Sequence, residues 1–572
     1  MINFDKFYKS NDPCFDFLID VSSSKEIDQV MKKLNFSSQV HKDAKIYYNK
    51  LVLPLHVGDT LFSGYTYTED TILRGPICYK ECAILDTGEY YTVKIDGEGF
   101  IIQNNIFGRS PIYYCQSLVS NRLQLIYLAL KSRAALDFNK SYICSIFSVS
   151  NSFCQQMTTY DTVIKGVSKL KQREFLIVKE NKIYAITDTK KDFQFQEKSV
   201  DAYYYYLHQA ADEISHSLSS ILNSSDNTYM ALTGGKDSRV LYAALTAMDR
   251  TNDVRIITND IGYDRAIATG LVAKFGGKFD FPQEENLLLG NFNINLEKYY
   301  SHYFFSKINI PEVYVKDVLP MSDNTISLIG GYCGGVYYDF YKKIGICSDK
   351  NQFVKSDVFS FFQKSEFLNQ DFLDEYLQQL SKTFQDLTGE TWSQKLISHY
   401  LEFRNTFHFG ARINKANQID FAPLVSRNLM LASRCLPDAI RDSARISFDL
   451  TKIFNEEIAY CQYEIPIVDF SKIPYHKRSK YDGLVLPIVP KLDLIKNRTP
   501  LFANIHKIDI FKEKIKILNN LLTLNKTLGL DDSLNSEKNI KRIEYLLSKR
   551  SQNIDKYITA LYLSIFFKCN RA

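Results

Sequence analysis

The residues of this chain best suited to chemistry are Leu232-Thr233-Gly234-Gly235-Lys236-Asp237-Ser238-Arg239. They follow a short apolar run and open a segment with helical periodicity. Two adjacent glycines let a backbone approach an anion closely, and the amides that start a helix then point at it. In such a turn Ser238 adds a hydroxyl donor, and Asp237 is a hard oxygen ligand for the Mg2+ that accompanies a pyrophosphate group. Lys236 and Arg239 bring positive charge. The string is not a Walker phosphate loop, because Gly-Lys is followed by Asp rather than Ser or Thr and the glycine spacing differs. A tight strand-to-helix turn with Asp237 and Ser238 as helix caps is the competing reading. The complete string, placed between a strand and a helix, favours a phosphate site.

The flanking sequence supplies the elements such a loop needs. Val200 to Leu222 has apolar residues at helical spacing, and Thr228 to Leu232 reads as a strand. A helix is expected over Asp237 to Met248, a strand over Val254 to Ile257, and a helix from about Asp264 to Phe275, closed by Gly276-Gly277. A third apolar run, Ile326 to Ile329, ends in Gly330-Gly331. This rhythm predicts a doubly wound parallel sheet with ligands at the carboxyl ends of its strands. The first ~190 residues instead read as strands and turns, including a hairpin of Phe175–Val178 and Ile183–Ile186 around Glu180-Asn181. Beyond residue ~350 the pattern is mostly helical, with a loop-like stretch from about Asp469 to Pro500. The expected units are therefore 1–190, 200–470 and a helical extension over 471–572.

The 572 residues are 45% hydrophobic and 24% charged, enough apolar material for more than one core, which excludes disorder as a description of the whole. Only 24 glycines and 14 prolines exclude collagen-like and linker-like chains. A net charge of +5 over this length is too small to suggest a nucleic-acid partner. The eleven cysteines include one C-x3-C pair, Cys78 and Cys82, with no second pair to complete a zinc site, and read as free thiols in a reducing compartment. Neither the N-terminus nor Ile558 to Phe567 has the apolar length of a leader or a span, and Cys569-Asn570-Arg571-Ala572 has a polar, basic middle unlike a prenylation signal. A cytoplasmic protein without a membrane partner is expected.

Thr233 to Ser238 resembles the PP-loop, S-G-G-x-D-S, of the ATP pyrophosphatases, with Thr233 replacing serine. Gly99 to Tyr114, containing Gly108-Arg109-Ser110-Pro111-Ile112-Tyr113-Tyr114, resembles the D-x-x-G-x-x-P-L-Y-Y stretch of asparagine synthetases. Asp161 to Leu170 is similar to a later part of the same glutaminase-type domain, and Pro423 to Leu429 to that family's P-F-L-D-x-x-L segment. The likeness to the asparagine synthetase family runs from about residue 80 to 470. It implies an N-terminal αββα sandwich of the N-terminal-nucleophile (Ntn) type. A doubly wound α/β PP-loop domain with a helical C-terminal extension follows it.

The resemblance also implies a function. An ATP-dependent ligase would adenylylate a substrate carboxylate, release pyrophosphate, and pass the acyl group to an amine. ATP would be bound by Leu232 to Arg239, Thr258, Asn259, Gly330 and Gly331, and Mg2+ by Asp237. Asp264-Arg265-Ala266 resembles the acidic residue that opens the family's next helix. Lys452 is the best match to a charge-stabilising lysine, and Tyr332 to a hydroxyl acid or base. Active glutaminase domains carry cysteine at position 2, where this sequence has Ile2, its first cysteine being Cys14. The expectation is therefore a glutaminase-like unit without its nucleophile, and an amine other than glutamine as nitrogen source. Relatives of this kind include β-lactam synthetases and lasso-peptide cyclases, so the substrate class is a carboxylate and an amine, in a peptide natural product or a surface polysaccharide.

Gly330-Gly331-Tyr332-Cys333-Gly334-Gly335-Val336 stands where the family has S-G-E-G-S-D-E, and every acid is missing. This departure keeps a second reading open, a non-catalytic member that binds nucleotide or a partner. A tRNA-thiolating PP-loop enzyme fits less well, since it would need a CxxC pair and a basic face. Phe511 to Leu522 has apolar positions that suit core burial, a second copy of the chain, or a pathway partner.

Overall fold

The computed structural model describes residues 16–49, 55–68, 71–75, 77–79, 87–139, 141–142, 157–225, 227–258, 262–279, 326–341, 370–410, 418–443, 445–464 and 479–491. Ile2, Cys14, Asn259 and the Phe511–Leu522 segment lie outside them, as does most of the expected 471–572 extension.

The N-terminal part is built from two antiparallel sheets. One runs Ser168–Lys169, Tyr113–Tyr114, Leu118–Ser120, Phe17–Asp20, Ala44–Tyr48, Ser37–His41. The other runs Lys182–Thr187, Glu174–Lys179, Gly99–Asn104, Glu89–Asp96, Thr60–Tyr67, Ile72–Arg74, with Ile77–Tyr79 also paired to Thr60–Tyr67. Successive side chains of a strand alternate faces. Phe17, Ile19, Ile46 and Tyr48 therefore meet Val93, Ile95, Ile102, Leu176 and Val178 between the sheets. Leu18 and Tyr47 turn outward, into the cluster that holds Ile27 and Met31 of the helix Lys25–Lys33. The Tyr47 hydroxyl donates to Asp28 Oδ1 on that helix at 2.6 Å.

The far face of the second sheet is covered by the helix Val200–Ser224, capped by the Ser199 hydroxyl. Its Ser220 hydroxyl donates to the Thr68 carbonyl at 3.2 Å. Two sheets with helices on their outer faces result. The expected hairpin is present as Glu174–Lys179 and Lys182–Thr187, and its two turn residues have φ of 51° and 56°. Such a turn matches the twist of its strands. The polar stretch before residue 200 runs along the helix Arg427–Cys435, where the Gln196 and Lys198 amides donate to the Arg434 and Cys435 carbonyls.

The second part holds a five-stranded, wholly parallel sheet in the order Lys278–Phe279, Arg255–Ile257, Thr228–Ala231, Ile326–Ile329, Gln418–Phe421. The helices Asp237–Ala247 and Gly262–Phe275 follow its first two strands, and Gly276 and Gly277 end the second helix at φ of 95° and 110°. The strand Gln418–Phe421 lies where the sequence reads as helical. Four residues carry too little periodicity to show a strand, and its pairing with Ile326–Ile329 exists only in the fold. Phe421 is fully buried, with Tyr65 of the antiparallel part against it at 4.9 Å between ring centroids. Among the described residues, no helix is long and apolar enough to cross a membrane.

The helices Gln370–Asp386 and Trp392–His399, and the π-helical Tyr400–Gly410, pack around a buried histidine. His399 stacks on Phe384 at 5.3 Å, and its Nε2–H donates to the Thr158 carbonyl at 3.0 Å. Burial pushes its pKa down to about 3, against the donor-supporting bond to Thr158. Between that value and the ordinary ~6.5 the unfolded chain binds the extra proton, so stability must fall as the pH drops. Lowering the pH from 7 to 4.5 is expected to remove ~2–3 kcal/mol through this one group. Urea midpoints across that range should show a shallower loss in His399→Gln. An equal loss would place the acid sensitivity elsewhere.

Candidate functional site

In chain order the parallel sheet runs third, second, first, fourth, fifth. The connections leaving the first strand, Thr228–Ala231, and the fourth, Ile326–Ile329, therefore diverge and open a crevice at the strands' carboxyl ends. Both glycine-rich segments of the sequence arrive there. The turn 232–236 leads into the helix Asp237–Ala247, and the run from Gly330 to Val336 crosses in front of that helix's first residues.

The turn is held by its own hydroxyls. The Thr233 amide donates to Ser238 Oγ at 3.1 Å, and the Gly235 amide donates to Thr233 Oγ1 at 3.3 Å. The Gly234 amide donates to Asp264 Oδ1 at 2.7 Å, so this turn already presents an N–H to an anionic oxygen. Asp264 belongs to the first turn of Gly262–Phe275, as the sequence suggests.

The glycine run lies on the start of the helix. A Cβ at Gly331 would fall 2.7 Å from the Ser238 amide nitrogen, and one at Gly334 would fall on the Asp237 carboxylate. Asp237 Oδ1 accepts from Ser447 Oγ at 3.3 Å, and its Oδ2 accepts from Tyr338 Oη at 3.4 Å. Burial, with Asp237 beside it, raises the Tyr338 pKa well above the ordinary phenol value, so Tyr338 stays a donor. Lys236 Nζ sits 3.4 Å from the centre of the Tyr338 ring.

The remaining predicted residues divide. The Leu232 side chain is fully buried in the core, and only its backbone borders the turn, its amide donating to Ile257 at 2.9 Å. Thr258, one residue further along the neighbouring strand, is buried with a hydroxyl that has no partner among the described residues. A buried hydroxyl normally finds a partner, so this position suits a ligand's polar group. Tyr332 is half-buried and folds its ring over Gly330, which places it at the rim of the same crevice.

Arg239 is not where the sequence suggests. Its fully buried guanidinium donates from Nη1 to the Cys461 carbonyl at 2.7 Å and from Nη2 to the Gln462 carbonyl at 2.6 Å, and packs 3.5 Å from the Tyr463 ring. A helix turns ~100° per residue, so Arg239 lies ~200° round from Asp237, on the opposite side of the helix from a ligand that Asp237 would face. Arg239 instead anchors a segment that returns to the loop, where the Glu464 amide donates to the Gly234 carbonyl at 3.0 Å. Lys452 is also displaced. It lies 3.6 Å from Glu456 and over the Tyr460 ring, about 140° round its helix from Ser447, the residue of that helix that reaches Asp237. Ser447, Tyr338 and Glu464 carry no sequence signal, because each enters from a distant segment.

Among the described residues no group of three or more His, Cys, Asp or Glu could hold a metal. One carboxylate, Asp237, flanked by two hydroxyls, suits Mg2+ that arrives already bound to phosphates, since this ion commonly keeps its waters and takes one or two protein carboxylates. The sequence matches no protein-family model and no curated protein.

Three substitutions probe this geometry. Arg239→Met removes both donors to the 461–462 carbonyls and should cost ~2–4 kcal/mol in urea unfolding, with faster amide exchange over 461–464. Gly334→Ala should displace the Asp237 side chain, lowering the melting temperature while Gly335→Ala, aimed at Tyr400 instead, leaves Asp237 in place. Finding Asp237 unmoved in a structure of Gly334→Ala would contradict the close approach.

Proposed function

We propose that the protein is an ATP-dependent ligase of the asparagine synthetase type, which adenylylates a carboxylate and transfers the acyl group to an amine. The observation that carries this reading is the Gly234-Gly235-Lys236-Asp237-Ser238 turn at the switch point of a parallel sheet ordered third, second, first, fourth, fifth. Two antiparallel sheets packed face to face precede that sheet, which accords with the αββα unit of that family.

The nucleotide's phosphates lie along the turn, in reach of its backbone amides and of Lys236. Thr258 faces the nucleoside side of the crevice and gives its hydroxyl a partner there. A carboxylate oxygen of the substrate attacks the α-phosphorus, the bond to the bridging oxygen breaks, and pyrophosphate leaves. The amine then attacks the acyl carbon, AMP departs with the electron pair, and the amine's proton passes to solvent or to a nearby base. When bound through Asp237, Mg2+ neutralises charge on the leaving pyrophosphate. Ser447 and Tyr338 donate to the Asp237 carboxylate and orient it. Tyr332, at the rim, is placed to border the acyl acceptor.

The acid-free run Gly330 to Val336 favours a second reading, a nucleotide- or partner-binding protein without turnover. One assay separates the two. The protein with ATP, Mg2+ and a mixed pool of carboxylates and amines, peptides included, should yield AMP and pyrophosphate, and Asp237→Ala should lower that yield by ~10²-fold or more. ATP binding without AMP across the pool would favour the second reading, and ADP in place of AMP would overturn the first.

A further inference from the structure

A charged side chain from the antiparallel part reaches the back of the crevice. Arg109 leaves the turn that follows the strand Gly99–Asn104. Asn105 shapes this turn by accepting from the Arg109 amide at 2.9 Å and donating to the Gly88 carbonyl at 2.6 Å. Gly108, at φ of 62°, supplies the left-handed residue that the turn requires. The Arg109 guanidinium is wholly buried. Its Nε and Nη2 donate to Glu89 Oε2 at 3.1 and 2.9 Å, and its Nη1 donates to Cys333 Sγ at 2.8 Å and Asn405 Oδ1 at 3.2 Å. Cys333 Sγ also donates to Asn405 Oδ1 at 3.1 Å.

Cys333 sits in the glycine run in the left-handed region, at φ of 73°, a conformation that a non-glycine residue holds only when its surroundings impose it. The next residue is Gly334, where any Cβ would fall on the Asp237 carboxylate. A continuous path therefore runs from Arg109 through Cys333 and Gly334 to Asp237. Among the described residues the Cys333 thiol hydrogen-bonds with Arg109 and Asn405, neither of which belongs to the parallel sheet.

We propose that Arg109 is a positioning residue of the nucleotide site. It holds Cys333 in its left-handed conformation, so that the run presses Gly334 onto Asp237 and aims that carboxylate into the crevice. The inference rests on the reading of the crevice as an Mg-ATP site, and it gives the antiparallel part a role in that site through geometry rather than chemistry of its own. The Arg109 fork is what matters: it spans Glu89 on one side and Cys333 with Asn405 on the other, which a lysine cannot do.

The test compares the wild-type full chain with Arg109→Lys, Cys333→Gly and Asp237→Asn. Cys333→Gly suits the left-handed backbone while removing the side chain that Arg109 and Asn405 hold, so it guards against a variant that fails to fold. ATP affinity is measured with Mg2+ and with EDTA. Arg109→Lys and Cys333→Gly are each expected to lose about tenfold in the Mg2+ condition and under about twofold in EDTA. Arg109→Lys should add nothing further to Asp237→Asn. Equal losses in both conditions, or no loss where Asp237→Asn loses its Mg2+ dependence, would overturn the proposal. Should the wild type bind no Mg-ATP, the functional reading fails by itself. Amide exchange at Asp237 to Arg239 then decides: faster exchange in Cys333→Gly upholds the positioning role, and unchanged exchange removes it.

Discussion

The start of the helix Asp237–Ala247 is covered by backbone, and the site around it depends on that close approach. A helix N-terminus exposes N–H groups without intrahelical partners, and here the run from Gly330 crosses them with no side chain at residues 331 and 334. The two strands behind them cannot separate to make room. Thr228–Ala231 and Ile326–Ile329 are locked in parallel register, with Thr228 opposite Ser327 and Met230 opposite Ile329. Any Cβ at Gly331 or Gly334 must therefore be accommodated by moving Asp237 or Ser238. The glycines of the run are thus a packing requirement of this crevice, whichever ligand it takes.

Two buried guanidinium groups, Arg109 and Arg239, tie distant segments together around that contact, and two more, Arg441 and Arg445, pair within a turn of their own helices. Arg109, Arg239, Arg441 and Arg445 are each fully buried. Arg109 pairs with Glu89 at 2.9 Å, Arg441 with Asp438 at 2.7 Å and Arg445 with Asp449 at 2.6 Å, while Arg239 spends its donors on backbone carbonyls. Such groups are costly to bury, and the pairing offsets that cost without much net gain. Losing the carboxylate leaves the arginine buried without that partner. What Arg109 and Arg239 supply is placement, joining parts of the chain as far apart as residues 109 and 333 or 239 and 461.

Charge around the loop is unevenly distributed. Asp237 is surrounded by the hydroxyls of Ser447 and Tyr338, whereas Asp264 and Glu464 both border Gly234 at the other end of the turn. An anion seated on the Gly234 amide must displace the Asp264 carboxylate or arrive with a cation that screens it. A phosphate chain carrying Mg2+ can take the second route, whereas a bare anion is left with the first.

Much of the loop-bearing part was legible from sequence because its signals are local. Periodicity marks the helices from Val200 and Asp237, β-branched and aromatic runs mark the strands, and Gly276-Gly277 marks a helix end. Each of these depends on residues only a few positions apart. The turn 232–238 was readable for the same reason, since a strand, two glycines and a capped helix lie in one short stretch. The partners of Asp237 were not. Ser447, Tyr338 and the Arg109–Cys333 path come together only when separate elements pack, and no local spacing encodes that. Arg239 and Lys452 show the converse. Their types and positions suit an anion site, but helix rotation turned Arg239 toward Cys461 and Gln462 and Lys452 toward Glu456. The sequence by itself determined which backbone turn could meet a phosphate. The tertiary structure alone decided which side chains stand around it, because direction in space is a property of packed elements and not of their order.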